Sequence, residues 1–136
     1  MASSNEFIDF LHEVFEDLGP IQAKRMFGGY GIYHDGLMFG LVIDNQLYLK
    51  SDAENLAFFE AEGLGPFIYN MKGKAVQLSY HQGPEAMLDE RELAALWARR
   101  SWDAALRAQA AKTLQAERAK ARRRTAKHPS CINVCS

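Results

Sequence analysis

Tyr30-Gly31-Ile32-Tyr33-His34-Asp35-Gly36-Leu37-Met38-Phe39-Gly40-Leu41-Val42-Ile43-Asp44-Asn45-Gln46-Leu47-Tyr48-Leu49-Lys50 is the stretch that decides the fold, because two turn dipeptides cut it into pieces of strand length. Asp35-Gly36 is the pair that a two-residue type I′ hairpin loop favours, and Asp44-Asn45 separates the second run from the third. From about Lys24 to Lys50 the apolar period is that of strands, so the spacing predicts a three-stranded antiparallel meander.

Helical patterns flank the meander. Ser3 and Glu6 have capping-box spacing, and Phe7, Phe10, Leu11, Val14, Phe15 and Leu18 then recur at helical intervals up to Gly19-Pro20. Glu6, Asp9, Glu13, Glu16 and Asp17 keep the opposite face wet. After the meander, Ser51 with Glu54 predicts a second cap, for a short helix carrying Leu56, Phe58, Phe59 and Ala61 that stops at Gly63. Phe67–Met71 and Ala75–Tyr80 read as a hairpin joined through Lys72-Gly73-Lys74. Asp89 with Glu92 opens a third helix, in which Leu93, Leu96 and Trp97 form an apolar stripe. Ser101 offers a cap for a separate helical segment, although propensity also allows one unbroken helix. The expected fold is α+β, with a five-stranded antiparallel sheet (the meander plus the hairpin) in the order α-β-β-β-α-β-β-α. Apolar periodicity ends near residue 110, so the expected domain is 1–110, followed by a basic helical extension and flexible tail over 111–136.

The chain has 136 residues and a mass of 15.3 kDa, the size of one ordinary domain, with 48% hydrophobic and 24% charged residues. That composition excludes fibrous and disordered classes. No run of about 18 apolar residues is present, so no membrane span is expected. Met1-Ala2-Ser3-Ser4-Asn5-Glu6 lacks the basic and apolar regions of a signal peptide, which makes the expected location cytoplasmic. Charge is divided unevenly. Through residue 90 five basic residues face fourteen acidic ones, a net of −9, whereas from Arg91 onward eleven face three, a net of +8. A basic arm of this kind points to nucleic acid or an acidic surface, or is simply a solvated helix end.

Catalytic constellations are lacking. His12, His34, His81 and His128 are scattered, and Cys131 and Cys135 lie in the tail, so no metal and no cofactor are expected. Ser79 and His81 share a strand face but have no third orienting group. Gly28-Gly29-Tyr30-Gly31 leads into a strand, whereas a phosphate cradle leads into a helix, so these glycines are read as permitting a bulge or a close backbone crossing over the first helix. Tyr30, Tyr33, Phe39, Tyr48, Tyr69 and Tyr80 have the composition of a stacking platform, but alternation assigns most of them to the core, and the surrounding region is acidic.

The run Arg25-Met26-Phe27-Gly28-Gly29-Tyr30-Gly31-Ile32-Tyr33, then Asp35-Gly36-Leu37-Met38-Phe39, Leu47-Tyr48-Leu49-Lys50, Pro66-Phe67-Ile68-Tyr69, Ser79-Tyr80, Pro84 and Trp97 with Ala104-Ala105 resembles the N-terminal domain of TfoX/Sxy competence regulators, over about residues 5–108. The resemblance implies a small α+β domain similar to secretion-chaperone-like proteins. It also implies a role in natural transformation, in which full-length members act as coactivators with the cyclic-AMP receptor protein. It carries over no catalytic residue. Its motif positions, Arg25, Met26, Phe27, Gly28, Gly29, Tyr48, Lys50, Tyr69, Tyr80, Pro84 and Trp97, are read as structural. Full-length members also have a second, C-terminal domain, where here only about 25 residues follow, too few for one.

The expected function is therefore a non-enzymatic regulatory or adaptor domain that contacts a protein of the transcription machinery, with weak non-specific attraction to DNA. The alternative is a direct nucleic-acid binder using Arg118, Lys120, Arg122, Arg123, Arg124 and Lys127, and a small-molecule sensor or enzyme is third. The oligomeric state is open, a homodimer being one option.

Overall fold

A computed structural model describes residues 5–26 and 28–127, without the side chains of Met71, Val76 and residues 124–127. Ser3, Phe27, His128, Cys131 and Cys135 lie outside the described residues, as do the side chains of Arg124 and Lys127. The elements are α1 (Asn5–Val14), β1 (Gln22–Met26), β2 (Gly29–His34), β3 (Leu37–Ile43), β4 (Gln46–Lys50), α2 (Leu56–Ala61), β5 (Pro66–Met71), β6 (Lys74–Gln82), a 3-10 turn (Glu85–Leu88) and α3 (Arg91–Lys127). Described residues fall into two compact units, one ending at Ala105 and one beginning at Leu106.

The class is α+β, as the pattern predicts, but the antiparallel sheet has six strands and not five, in the order β1-β2-β3-β4-β6-β5. The extra strand is Gln22–Met26, which pairs with β2 from Gln22↔Tyr33 to Met26↔Gly29. Its side chains are exposed or half-buried, and Lys24 and Arg25 break any apolar pattern. Charged residues are the usual protection of an edge strand, so the feature that disguises this strand belongs to its position. α3 is one continuous helix, and Ser101 lies inside it and starts no second segment.

Three hairpin loops each have two residues of positive φ: Asp35 (49°) with Gly36 (80°), Asp44 (50°) with Asn45 (59°), and Lys72 (52°) with Gly73 (80°). This left-handed pair gives a type I′ turn its right-handed twist and locks the strand registers. One register changes inside β3: Ile32 faces Gly40 while Tyr33 faces Met38, leaving Phe39 as the extra residue. The bulge turns Phe39 into the core, where its ring meets Phe15 edge-on at 5.3 Å.

All helices of the first unit bury their apolar side chains on one sheet face. Leu11, Val14 and Phe15, with Phe59 of α2 and Ala94, Trp97 and Ala98 of α3, join Ile32, Phe39, Val42, Leu47 and Leu49 in one cluster. Phe59 and Trp97 meet edge to face at 5.2 Å. Phe10 departs from the expected apolar face and stays 40% exposed, while Ile8 is buried in its place. The N-cap of α2 is Asn55 and not Ser51, and its side chain makes no capping bond to the helix but closes the turn before it. The Asp52 amide donates to Asn55 Oδ1 at 2.8 Å and the Asn55 amide to Asp52 Oδ1 at 3.1 Å, a reciprocal pair of capping-box form. Asn55 Nδ2 also donates to the carbonyls of Lys50 and Arg100, tying α2 to β4 and α3.

Candidate functional site

Because Cα partners in an antiparallel sheet share a face, the registers sort the strand residues into two sets. One set, with Ile32, Val42, Leu47 and Leu49, lies under the helices. The other has Lys24 opposite Gly31 on the neighbouring strand, Leu41 between Gly31 and Tyr48, and Lys50 opposite Tyr80. Tyr33 and Met26 belong to this second set through their pairings with Gln22 and Gly29. Tyr33, Tyr48 and Tyr80 are therefore not core residues. Alternation places them on one face, but it cannot say which face the helices cover.

Side-chain geometry on the helix-free face is aromatic and cationic. Lys24 Nζ lies 4.7 Å from the Tyr33 ring centre and Lys50 Nζ 5.2 Å from that of Tyr80, both within cation–π range. Tyr48 is tilted against Phe67 with ring centres 4.8 Å apart. Burial, and next the proximity of Tyr33, push the Tyr80 hydroxyl up to about 12. Leu41 is fully buried among these groups. No strand carries a carboxylate: within residues 22–82 the acids sit in the β2–β3 and β3–β4 turns, the turn before α2, and α2 and its end. The acidity of this region thus belongs to turns and helix and not to the sheet.

Glycines close the same region. A Cβ on Gly29 would stand 1.9 Å from the Val42 carbonyl oxygen, and one on Gly31 would meet the sulfurs of Met26 and Met38 at 2.8 and 3.0 Å. The close crossing is thus against β3 and not over α1. Gly28 differs, with φ +77° and nothing within 4 Å.

On the helical side, a cleft of about 330 Å³ is lined by Phe7, Phe10, Leu47, Pro84 and Leu88, with Glu85 and Asp89 among its walls. Glu6, Asp9 and Glu13 are exposed along the adjoining α1. A second groove, of about 460 Å³, reaches the buried pair Ser51 and His81, whose Oγ and Nδ1 share a 2.8 Å hydrogen bond. Desolvation lowers the His81 pKa, against an opposing pull from Glu60. Among the described residues no carboxylate bonds the other ring nitrogen, so this pair joins β4 to β6 without forming a triad. The partner of His81 is Ser51 and not Ser79, and only the β4–β6 pairing, invisible in local sequence, brings them together.

The motif positions scatter across these features. Met26, Tyr48, Lys50 and Tyr80 share the helix-free face, and Tyr69 is half-buried on β5. Arg25 is exposed on β1, Gly28 and Gly29 form the entry to β2, Pro84 lines the cleft, and Trp97 is in the core. Arg118, Lys120, Arg122 and Arg123 are exposed on α3 in the second unit. Among the described residues no three His, Cys, Asp or Glu side chains gather in a way that could hold a metal, and no helix is long and apolar enough to cross a membrane. What motif spacing misses is the juxtapositions: Ser51 with His81, Tyr48 with Phe67, and Phe7 and Phe10 with Pro84 and Leu88 in the cleft.

Comparison with known proteins adds a lineage to this geometry. The model of the TfoX N-terminal domain matches residues 13–105. The chain is 35% identical over 63 residues to DNA transformation protein TfoX1 of Aliivibrio fischeri (strain ATCC 700601 / ES114), covering 46% of this chain and 30% of that protein. It is 26% identical over 95 residues to protein Sxy of Escherichia coli (strain K12), covering 70% of this chain and 46% of that one. The match thus spans less than half the length of both relatives.

Proposed function

Because the chain belongs to the TfoX N-terminal domain family, we propose that it is a non-enzymatic, cytoplasmic regulatory domain that promotes DNA transformation by docking a protein of the transcription machinery. The observation that carries the adaptor reading is Phe10, a large aromatic left exposed at a cleft whose walls are part apolar and part polar, carboxylates included. An aromatic anchor with a polar rim is the usual anatomy of a docking hot spot, and the acids Glu6, Asp9, Glu85 and Asp89 favour a basic partner surface. The test is transformation frequency in the bacterium that carries the chain, with Phe10→Ser in place of the native residue. A fall of tenfold or more, at unchanged protein level and unchanged melting temperature, supports docking through this cleft. Wild-type frequency in both the variant and a deletion strain overturns the role.

A second reading rests on Arg118, Lys120, Arg122 and Arg123, all exposed on one helix with Glu117 as the acid among them. If this arm holds duplex DNA through phosphates, replacing Arg118, Arg122 and Arg123 with Ala should flatten the salt dependence of binding by roughly two to three units, at about 0.9 for each phosphate no longer neutralised. An unchanged slope removes the arm from DNA binding.

A further inference from the structure

We propose that the helix-free face of the sheet binds single-stranded nucleic acid, with Tyr33 and Tyr48 stacking on bases and Lys24 and Lys50 holding phosphates. Three observations converge on it. First, the face is built from half-exposed rings over a buried floor of Leu41, Gly29 and Gly31, so the aromatic groups are held from below and do not have to be ordered on binding. Secondly, its cations flank its rings. Lys24 on β1 and Lys50 on β4 are three strands apart, with Tyr33 beside one and Tyr80 beside the other. Thirdly, the charge matches one sign of ligand, since every carboxylate of residues 5–90 is on a helix, a turn or a loop and none is on a strand.

A ligand complementary to this surface alternates flat groups with negative charges. Single-stranded nucleic acid does so, and stacking on aromatic side chains beside a cationic track is how sheet platforms hold it with little regard to sequence. Duplex DNA does not, because its bases are already stacked on each other. An acidic peptide would match the sign of the lysines but offer nothing flat to stack on Tyr33 and Tyr48. The glycines shape the surface as well. A side chain at Gly31 would push into Met26, Met38 and Tyr33, so its absence keeps these groups seated low on the face.

The test uses the full chain, 15N-labelled, titrated with an unlabelled twelve-residue oligothymidylate, and fluorescence anisotropy with the same oligonucleotide carrying a dye. The expected result is amide shifts at Lys24, Gly31, Tyr33, Leu41, Tyr48 and Lys50, and at least a tenfold loss of affinity in Lys24→Ala/Lys50→Ala. Lys24→Ala alone, on an exposed edge position that should fold normally, is expected to lose about threefold. The Arg118→Ala/Arg122→Ala/Arg123→Ala variant should keep the sheet shifts even where overall affinity falls. Shifts confined to residues 106–127, unchanged affinity in the lysine variants, or equal affinity for a poly-glutamate peptide of the same charge would each overturn the proposal.

Discussion

Substituting Gly29 with Ala should cost far more stability than the same change at Gly28, although the two are neighbours and both glycines. At Gly28 the cost is conformational: φ is +77°, a region where an L residue is strained by roughly 1–2 kcal/mol, and nothing lies within 4 Å of the new methyl group. At Gly29 the cost is steric. The new Cβ would stand 1.9 Å from the Val42 carbonyl oxygen and 2.7 Å from Ile43 Cδ1. The Ile43 side chain can swing away, but the carbonyl is held in the β2–β3 ladder, where Val42 is the partner of Tyr30. Relief requires the strands to part by more than an ångström, so the penalty should reach or exceed the upper end of the overpacking range, about 3 kcal/mol. With about 3–5 °C per kcal/mol for a chain of this size, Gly28→Ala should lower the melting temperature by roughly 5 °C and Gly29→Ala by roughly 10 °C or more. Asn, which tolerates the left-handed region, should partly rescue position 28 and not position 29. Thermal and urea denaturation followed by circular dichroism measure both. If Gly29→Ala proved no more damaging than Gly28→Ala, the steric argument would be refuted.

Two further outcomes are expected. His81 has its pKa lowered by burial, so the native state holds it neutral while the unfolded chain takes up a proton near pH 6.5. Its contribution is fully present above pH 6.5 and is lost as pH falls through the native pKa; urea midpoints between pH 7.5 and 5.5 should show the decline, and His81→Gln should flatten it. Ser101 is fully buried with its hydroxyl unpartnered among the described residues, so Ser101→Ala should leave stability unchanged or raise it by up to about 1 kcal/mol. A loss beyond about 1 kcal/mol in calorimetry would mean that the hydroxyl has a partner.

What the sequence disclosed is what is encoded locally. Asp35-Gly36 and Asp44-Asn45 announce their turns because only certain residues take positive φ, and the apolar runs between them announce strands. Gln22–Met26 stayed hidden because an edge strand needs no apolar alternation. Ser51 does not cap α2: its hydroxyl is engaged by His81, and the turn before the helix is closed by Asp52 and Asn55. The tyrosines show the limit most directly. Period-two alternation is symmetrical between the faces of a sheet, and only the helices, arriving from elsewhere in the chain, decide which face is dry. Phe39 is in the core, but by way of a bulge. Tyr33, Tyr48 and Tyr80 fell to the other side.

The place of β6 between β4 and β5 also has a consequence for how the chain folds. β1 to β4 are neighbours in space in the order of their synthesis, and each joins the next through a short connection, so a four-stranded sheet can assemble with little loss of chain entropy. β6 reaches β4 only after the segment containing α2 and β5 has been looped out, and its Leu49↔His81 pairing closes a span of about thirty residues. Of the pairings within the sheet this one closes the longest loop and has the largest entropic toll, which makes the seam between β4 and β6 the slow step expected in assembling the sheet. It also divides the chain into a part that forms early and a part, the β5–β6 hairpin, that docks onto it.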